Sequence, residues 1–137
     1  MTITNGYATL AELKAYADIN STDGTDDAVL EDMIEAASRL IDKQTKRTFY
    51  ARTETRYFDV PVAQRNDAIL YLDDDLLAVT TLTNGSSGAL ASTDYHLLPL
   101  NDAPKWGVQL KGGLSWESAT DGDGVGSISI VGTWGWR

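Results

Sequence analysis

Between residues 26 and 46 the apolar side chains Val29, Leu30, Met33, Ile34, Ala37, Leu40 and Ile41 recur at three- and four-residue spacing, the repeat that gathers one face of an α-helix. The pattern predicts a long amphipathic helix from about Asp26 to Lys46. Ahead of it, Thr9-Leu10-Ala11-Glu12 fits a capping box, in which the Thr9 hydroxyl takes an early backbone N–H and the Glu12 carboxylate reaches back to the cap. A short helix from about Leu10 to Ala17 follows from it. Asn20 to Thr25, which holds Asp23-Gly24, reads as a polar loop between the two.

After Phe49 the period falls to two residues. In Arg52-Thr53-Glu54-Thr55-Arg56-Tyr57-Phe58 charges alternate with Thr and Tyr, as in a strand with one face wet or against a partner. Further strands are expected at Ile69 to Leu72, Leu76 to Thr83, Tyr95 to Leu100, Val108 to Lys111 and Ser127 to Trp134. Turn signals separate them at Asn84-Gly85, Asn101 to Pro104, Gly112-Gly113 and Asp121-Gly122-Asp123-Gly124. The class is α+β, with helices first and a small antiparallel sheet after them. A helical part of about 8–48 and a β-rich part of about 52–136 are expected within one domain, because no repeat and no long linker divides the chain.

Composition narrows the chemistry. The 137 residues fit one domain that buries roughly two-thirds of its unfolded surface. Cysteine is absent, so no disulfide, thiolate nucleophile or cysteine-ligated metal is available, and the chain suits a reducing cytosol. Met1 to Gly6 lack the basic start and apolar run of a signal peptide, and no stretch approaches the ~18 apolar residues that span a bilayer. A soluble chain with no membrane partner is expected.

Twenty acids against eleven bases give a net charge of −9, which disfavours phosphate backbones and anionic membranes as ligands of a general basic surface. The charge is also polarised. Asp18, Asp23, Asp26, Asp27, Glu31, Asp32 and Glu35 stand between Ala15 and Ser38 with no base among them. From Arg39 to Arg56 the bases Arg39, Lys43, Lys46, Arg47, Arg52 and Arg56 outnumber the acids. The acids near the start of the long helix and the bases near its end complement its dipole, and Glu35–Arg39 and Asp42–Lys46 have the spacing of ion pairs on its outer face.

Each candidate for catalysis has a plainer explanation. His96, the lone histidine, sits in the alternating run Tyr95-His96-Leu97-Leu98 and reads as a strand residue rather than a general base. Asp73-Asp74-Asp75 offers oxygen ligands to a divalent cation, but neighbours on a strand point to opposite faces, so an acidic turn between Leu72 and Leu76 is the better reading. Asp121 to Gly126 is similar to the opening of a calcium loop. Val125 at its fifth position and Gly132 at its twelfth break the pattern, leaving a flexible hairpin loop. Among the tryptophans, Trp106 and Trp116 are assigned to the core. Trp134 and Trp136, on one strand face, are either an anchor for a partner or a lid on the core. With no nucleophile elbow, phosphate loop or zinc-protease helix in the sequence, neither an enzyme nor a cofactor is expected.

A resemblance carries the reading further. Tyr7-Ala8-Thr9-Leu10-Ala11-Glu12-Leu13-Lys14, then Asp26-Asp27-Ala28-Val29-Leu30, then Ile34-Glu35-Ala36-Ala37-Ser38-Arg39-Leu40-Ile41-Asp42 resemble the opening of the head-tail connector (adaptor) family of tailed bacteriophages. Thr45-Lys46-Arg47-Thr48-Phe49 is similar to the Thr-Gly-Arg-x-Phe that closes its long helix. Arg56-Tyr57-Phe58-Asp59, Leu70-Tyr71-Leu72-Asp73, Leu76-Leu77-Ala78-Val79, Asp94 to Pro99 and Gly132-Thr133-Trp134-Gly135 resemble the sheet of a long-sheet branch. Two departures stand out. Lys46 replaces the usual glycine at the helix end, and relatives often continue past the last strand into a further helix or tail, whereas this sequence ends at Arg137. Either it is cut short there or it docks differently.

The resemblance implies a structural protein of the virion neck, made in the host bacterial cytoplasm. It would form a homo-oligomeric ring, usually of twelve copies, beneath the portal protein and lead viral DNA toward a stopper or tail-completion protein. Twelve such chains carry roughly a hundred net negative charges, so DNA is expected to pass without sequence-specific binding. In such a ring Glu31, Glu35, Arg39, Lys43, Arg52 and Arg56 are the candidate contacts between subunits. Asp26, Asp27, Glu31, Asp32 and Glu35 are candidates to line the channel, with Asp73 to Asp75 competing, and Trp134 and Trp136 are candidate partner anchors. The alternatives are a small β-rich module binding a glycan or a protein through Trp134 or Trp136, and a metal-assisted hydrolase built on Asp73, Asp75 and His96.

Overall fold

In the computed structural model, which describes residues 2–61 and 68–136, Thr9 accepts the Glu12 N–H and Glu12 accepts the Thr9 N–H. This capping box starts α1 (Leu10–Tyr16). Met1 and Arg137, on which the readings of the two chain ends touch, lie outside the described residues. The chain divides into two compact units, Met1–Phe49 and Tyr50–Arg137.

In the first unit, Asp23 holds Thr25 through its N–H (3.0 Å) and hydroxyl (2.7 Å), turning the chain into α2 (Asp27–Thr45). Lys46 caps that helix at φ 55°, ψ 31°, the left-handed conformation in which a side chain costs about 1 kcal/mol and which glycine enters freely. Polar bonds fasten the segment before α1 along α2. Glu35 accepts the N–H groups of Thr4 (2.5 Å) and Asn5 (2.9 Å), buried Ser38 accepts that of Tyr7 (3.0 Å), and Arg39 donates to the Asn5 carbonyl (2.8 Å). The Tyr7 hydroxyl donates to Asp42 and accepts the Phe49 N–H. Of the apolar residues of α2 only Ile34 is buried, while Val29, Met33, Leu40 and Ile41 are 44–59 % exposed.

The second unit is a six-stranded antiparallel sheet of β1 (Arg52–Phe58), β2 (Ile69–Asn84), β3 (Ala89–Leu90), β4 (Tyr95–Leu98), β5 (Lys105–Leu110) and β6 (Ile128–Trp134), ordered β1-β6-β2-β5-β4 with β3 on β2. The α+β class holds. Three expectations within it do not. Asp73 to Asp75 form no turn, because Ile69–Asn84 is one 16-residue strand whose register slips on β5 between Tyr71 and Leu76. Such a bulge bends a strand without ending it. The strand at Tyr95 stops at Leu98, ahead of Pro99, which has no N–H to give the ladder. Asp121 to Gly124 make no hairpin loop, since β6 lies between β1 and β2 rather than beside β5.

The core gathers Phe58, Leu70, Leu76, Leu82, Val108, Leu110, Ile128, Ile130 and Trp134. Buried Asn84 ties the loop before β6 down, donating to the Ser115 carbonyl and accepting the Glu117 N–H, each at 2.9 Å. Trp116 of that loop enters the core and donates to the Ala68 carbonyl. Glycine is required at both ends of Gly132-Thr133-Trp134-Gly135. A Cβ on either would lie 2.3 Å from a backbone oxygen, that of Ala78 or Tyr50, and Gly135 has φ +133°.

Candidate functional site

The alternation of β1 decides where its charges go. Arg52, Glu54 and Arg56 lie opposite Trp134, Gly132 and Ile130 of β6, and directly opposed residues share a face. The three charged side chains therefore stand on the face of buried Trp134, and both arginines cross β6 to the aspartates of β2. Arg56 donates to Asp73 (2.9 Å), Asp74 (3.0 Å) and Glu54 (2.7 Å). Arg52 pairs with Asp74 and, at 3.2 Å, with Glu54. The Arg56 guanidinium also lies 5.0 Å from the centre of the Trp134 ring, capping the indole with a cation.

The electrostatics of this cluster are closed upon themselves. Burial alone would raise the Glu54 pKa, but the hydrogen bonds of Arg56 and Arg52 outweigh it and hold the carboxylate below its ordinary value. Burial likewise opposes the charge on Arg52, yet bonds to Asp74 and Glu54 prevail and raise its pKa, and Asp73 and Glu54 do the same for Arg56. The Asp74 side chain is only 11 % exposed. Two guanidiniums against three carboxylates make a structural lid. They leave little of Arg52 or Arg56 for the subunit contacts expected of them.

Other expected site residues are similarly committed. Asp27 pairs with Lys14, whose buried ammonium also donates to the Asp23 carbonyl (2.6 Å). Glu35 caps the N–H groups of Thr4 and Asn5, which lower its pKa, and Arg39 bonds Asp42 (3.2 Å) as well as Asn5. Asp26, Asp32 and Lys43 are exposed and Glu31 is half-buried. Trp134 is 0 % exposed, which removes it as a partner anchor and leaves its other expected role, in the core. Trp136 follows the strand and is half-buried.

Trp106 is the converse case. It is not core but 44 % exposed, stacked on Tyr71 at 5.7 Å and 13°. Nothing in the sequence pairs these two, because the contact depends on how β2 and β5 align. His96 is exposed on β4. Asp121 and Asp123 take the N–H groups of Asp123 and Val125 at 3.0 and 2.9 Å, shaping their own loop. Among the described residues no group of three or more His, Cys, Asp or Glu is placed to hold a metal ion, and no helix is long and apolar enough to cross a membrane.

The helical unit carries a concavity of about 800 Å³, lined by Tyr7, Leu13, Tyr16, Met33, Ile34 and Ile41 among others. Its walls are mostly apolar, with Glu12 and Ser38 the polar residues besides the two tyrosines. No known protein family matches this chain, and neither a curated protein nor a solved structure does.

Proposed function

We propose that this chain is a connector subunit of the neck of a tailed phage, forming a ring below the portal protein through which DNA passes toward a stopper or tail-completion protein. The observation that carries the reading is the order of the resembling segments along the chain, from the capped helix at Thr9 to the strand ending in Trp134-Gly135. They fold as two helices followed by an antiparallel sheet. Its mechanism is shape and charge. Acids such as Asp18 and Asp32, exposed on the helical unit, repel phosphates only within the ~8 Å Debye length of physiological salt and so keep a duplex centred without gripping it.

Mixing the purified full chain with the portal protein of the same virus tests this. Light scattering should give the mass of a portal carrying a ring of added subunits, and electron microscopy of virions should place a tagged chain at the neck. A portal whose mass does not change, together with virions lacking the tag, overturns the reading.

The exposed Tyr71–Trp106 stack favours a second reading, a module that binds a glycan or a protein segment on an aromatic surface. Indole fluorescence quenched by oligosaccharide in the native chain but not in Trp106→Phe would select it.

A further inference from the structure

Asp26, Val29, Met33, Ala36, Leu40 and Lys43 succeed one another at spacings of three and four along α2, the rhythm of a coiled-coil seam. All six are exposed, Val29 by 55 %, Met33 by 59 % and Leu40 by 56 %. They form a side of the helix distinct from the one that buries Ile34 and Ser38. The four inner positions are apolar and the two ends carry opposite charges.

That charge order selects the partner and its direction. A second copy laid parallel and in register sets Asp26 on Asp26, Lys43 on Lys43 and Met33 on Met33. Laid antiparallel, the second copy's Lys43 meets Asp26, its Leu40 meets Val29 and its Ala36 meets Met33, and symmetry repeats the three layers. Opposite charges then close both ends and the longest side chain faces the shortest.

We infer that two copies of this chain pair through α2, antiparallel about a two-fold axis that passes between Met33 and Ala36. The contact is isologous and stops at two, so it does not depend on the ring proposed above. A single helix pair, 19 residues or about 28 Å long, falls at the small end of protein interfaces, which makes the pairing weak and concentration-dependent.

Sedimentation of the full chain over a wide concentration range should show a reversible monomer–dimer equilibrium. Asp26→Lys places like charges at both ends and should weaken association about tenfold, whereas D26K/K43D restores opposite charges and should recover it. The Asp26 side chain makes no capping bond, so the change costs the helix only its favourable interaction with the dipole, about 0.3–1 kcal/mol, which circular dichroism of the monomer reads separately. Because the chain has no cysteine, single cysteines report geometry. V29C alone and L40C alone should stay unlinked on oxidation, while an equal mixture forms a disulfide-linked dimer, the two positions being within bridging reach only when antiparallel. A monomer at every concentration, an assembly larger than two, a D26K/K43D variant as weak as D26K, or V29C linking to itself would each overturn the inference. None of these bears on the mass of the chain bound to a portal, which separately decides the connector reading.

Discussion

The two units of this chain spend their side chains in opposite ways. The sheet unit buries its large apolar residues, with Leu76, Leu82, Val108, Ile128, Ile130 and Trp134 all at 0 % exposure, and turns its charges into a lid over one of them. The helical unit is fastened by Tyr7, Lys14, Glu35, Ser38 and Arg39, mostly to backbone groups, and leaves most of the apolar surface of α2 outside. A hydrogen bond contributes about 1 kcal/mol net, whereas a fully buried large apolar side chain contributes about 1.5–3 kcal/mol. A unit held by the former with the latter left over keeps apolar surface that its own fold does not use.

Substitutions test that contrast. Trp134→Ala should have the largest effect, about 3–5 kcal/mol of stability, read by denaturant unfolding with circular dichroism. A loss below about 1 kcal/mol would deny that the indole is core. Asp74→Asn removes the carboxylate that both arginines share and leaves partly buried guanidiniums short of a partner, an expected loss of about 2 kcal/mol. A neutral outcome would mean the lid is ornamental.

The pH dependence follows from the same cluster. Glu54 has a folded pKa below its ordinary value. Its contribution is therefore complete above the unfolded value, near 4.3, and disappears as the pH falls through the folded one. E54Q should flatten the stability profile of the sheet unit in that acid window without moving its slope near neutrality. An unchanged acid limb would break the assignment.

The helical unit should respond less. Lys46→Gly relieves the left-handed cap and should add about 0.5–1 kcal/mol, measured as a raised melting temperature. Smallest of all, Met33→Gln should leave monomer stability within about 0.5 kcal/mol while abolishing the α2 pairing. The same substitution on an inward residue such as Ile34 should cost several times more.

Local sequence determined the helices well. The capping box at Thr9, the three- and four-residue period from Val29 to Ile41 and the two-residue period from Arg52 are properties of neighbours along the chain, and the structure keeps each element within a residue or two of its expected ends. Asp73-Asp74-Asp75 was illegible as strand because aspartate disfavours strands. Only the distant Arg52 and Arg56, brought alongside by β6, make its charges tolerable there. Trp106 left its expected place in the core, and Trp134 took the core side of its two expected roles, for the same kind of reason, since an indole faces core or water according to the register of the strands around it, and that register is set by pairings about thirty to eighty residues apart. Period and capping are fixed by the sequence within a few residues. Which apolar stripe of α2 stays open, and which charges are already paired, depends on packing between segments that the sequence lists far apart.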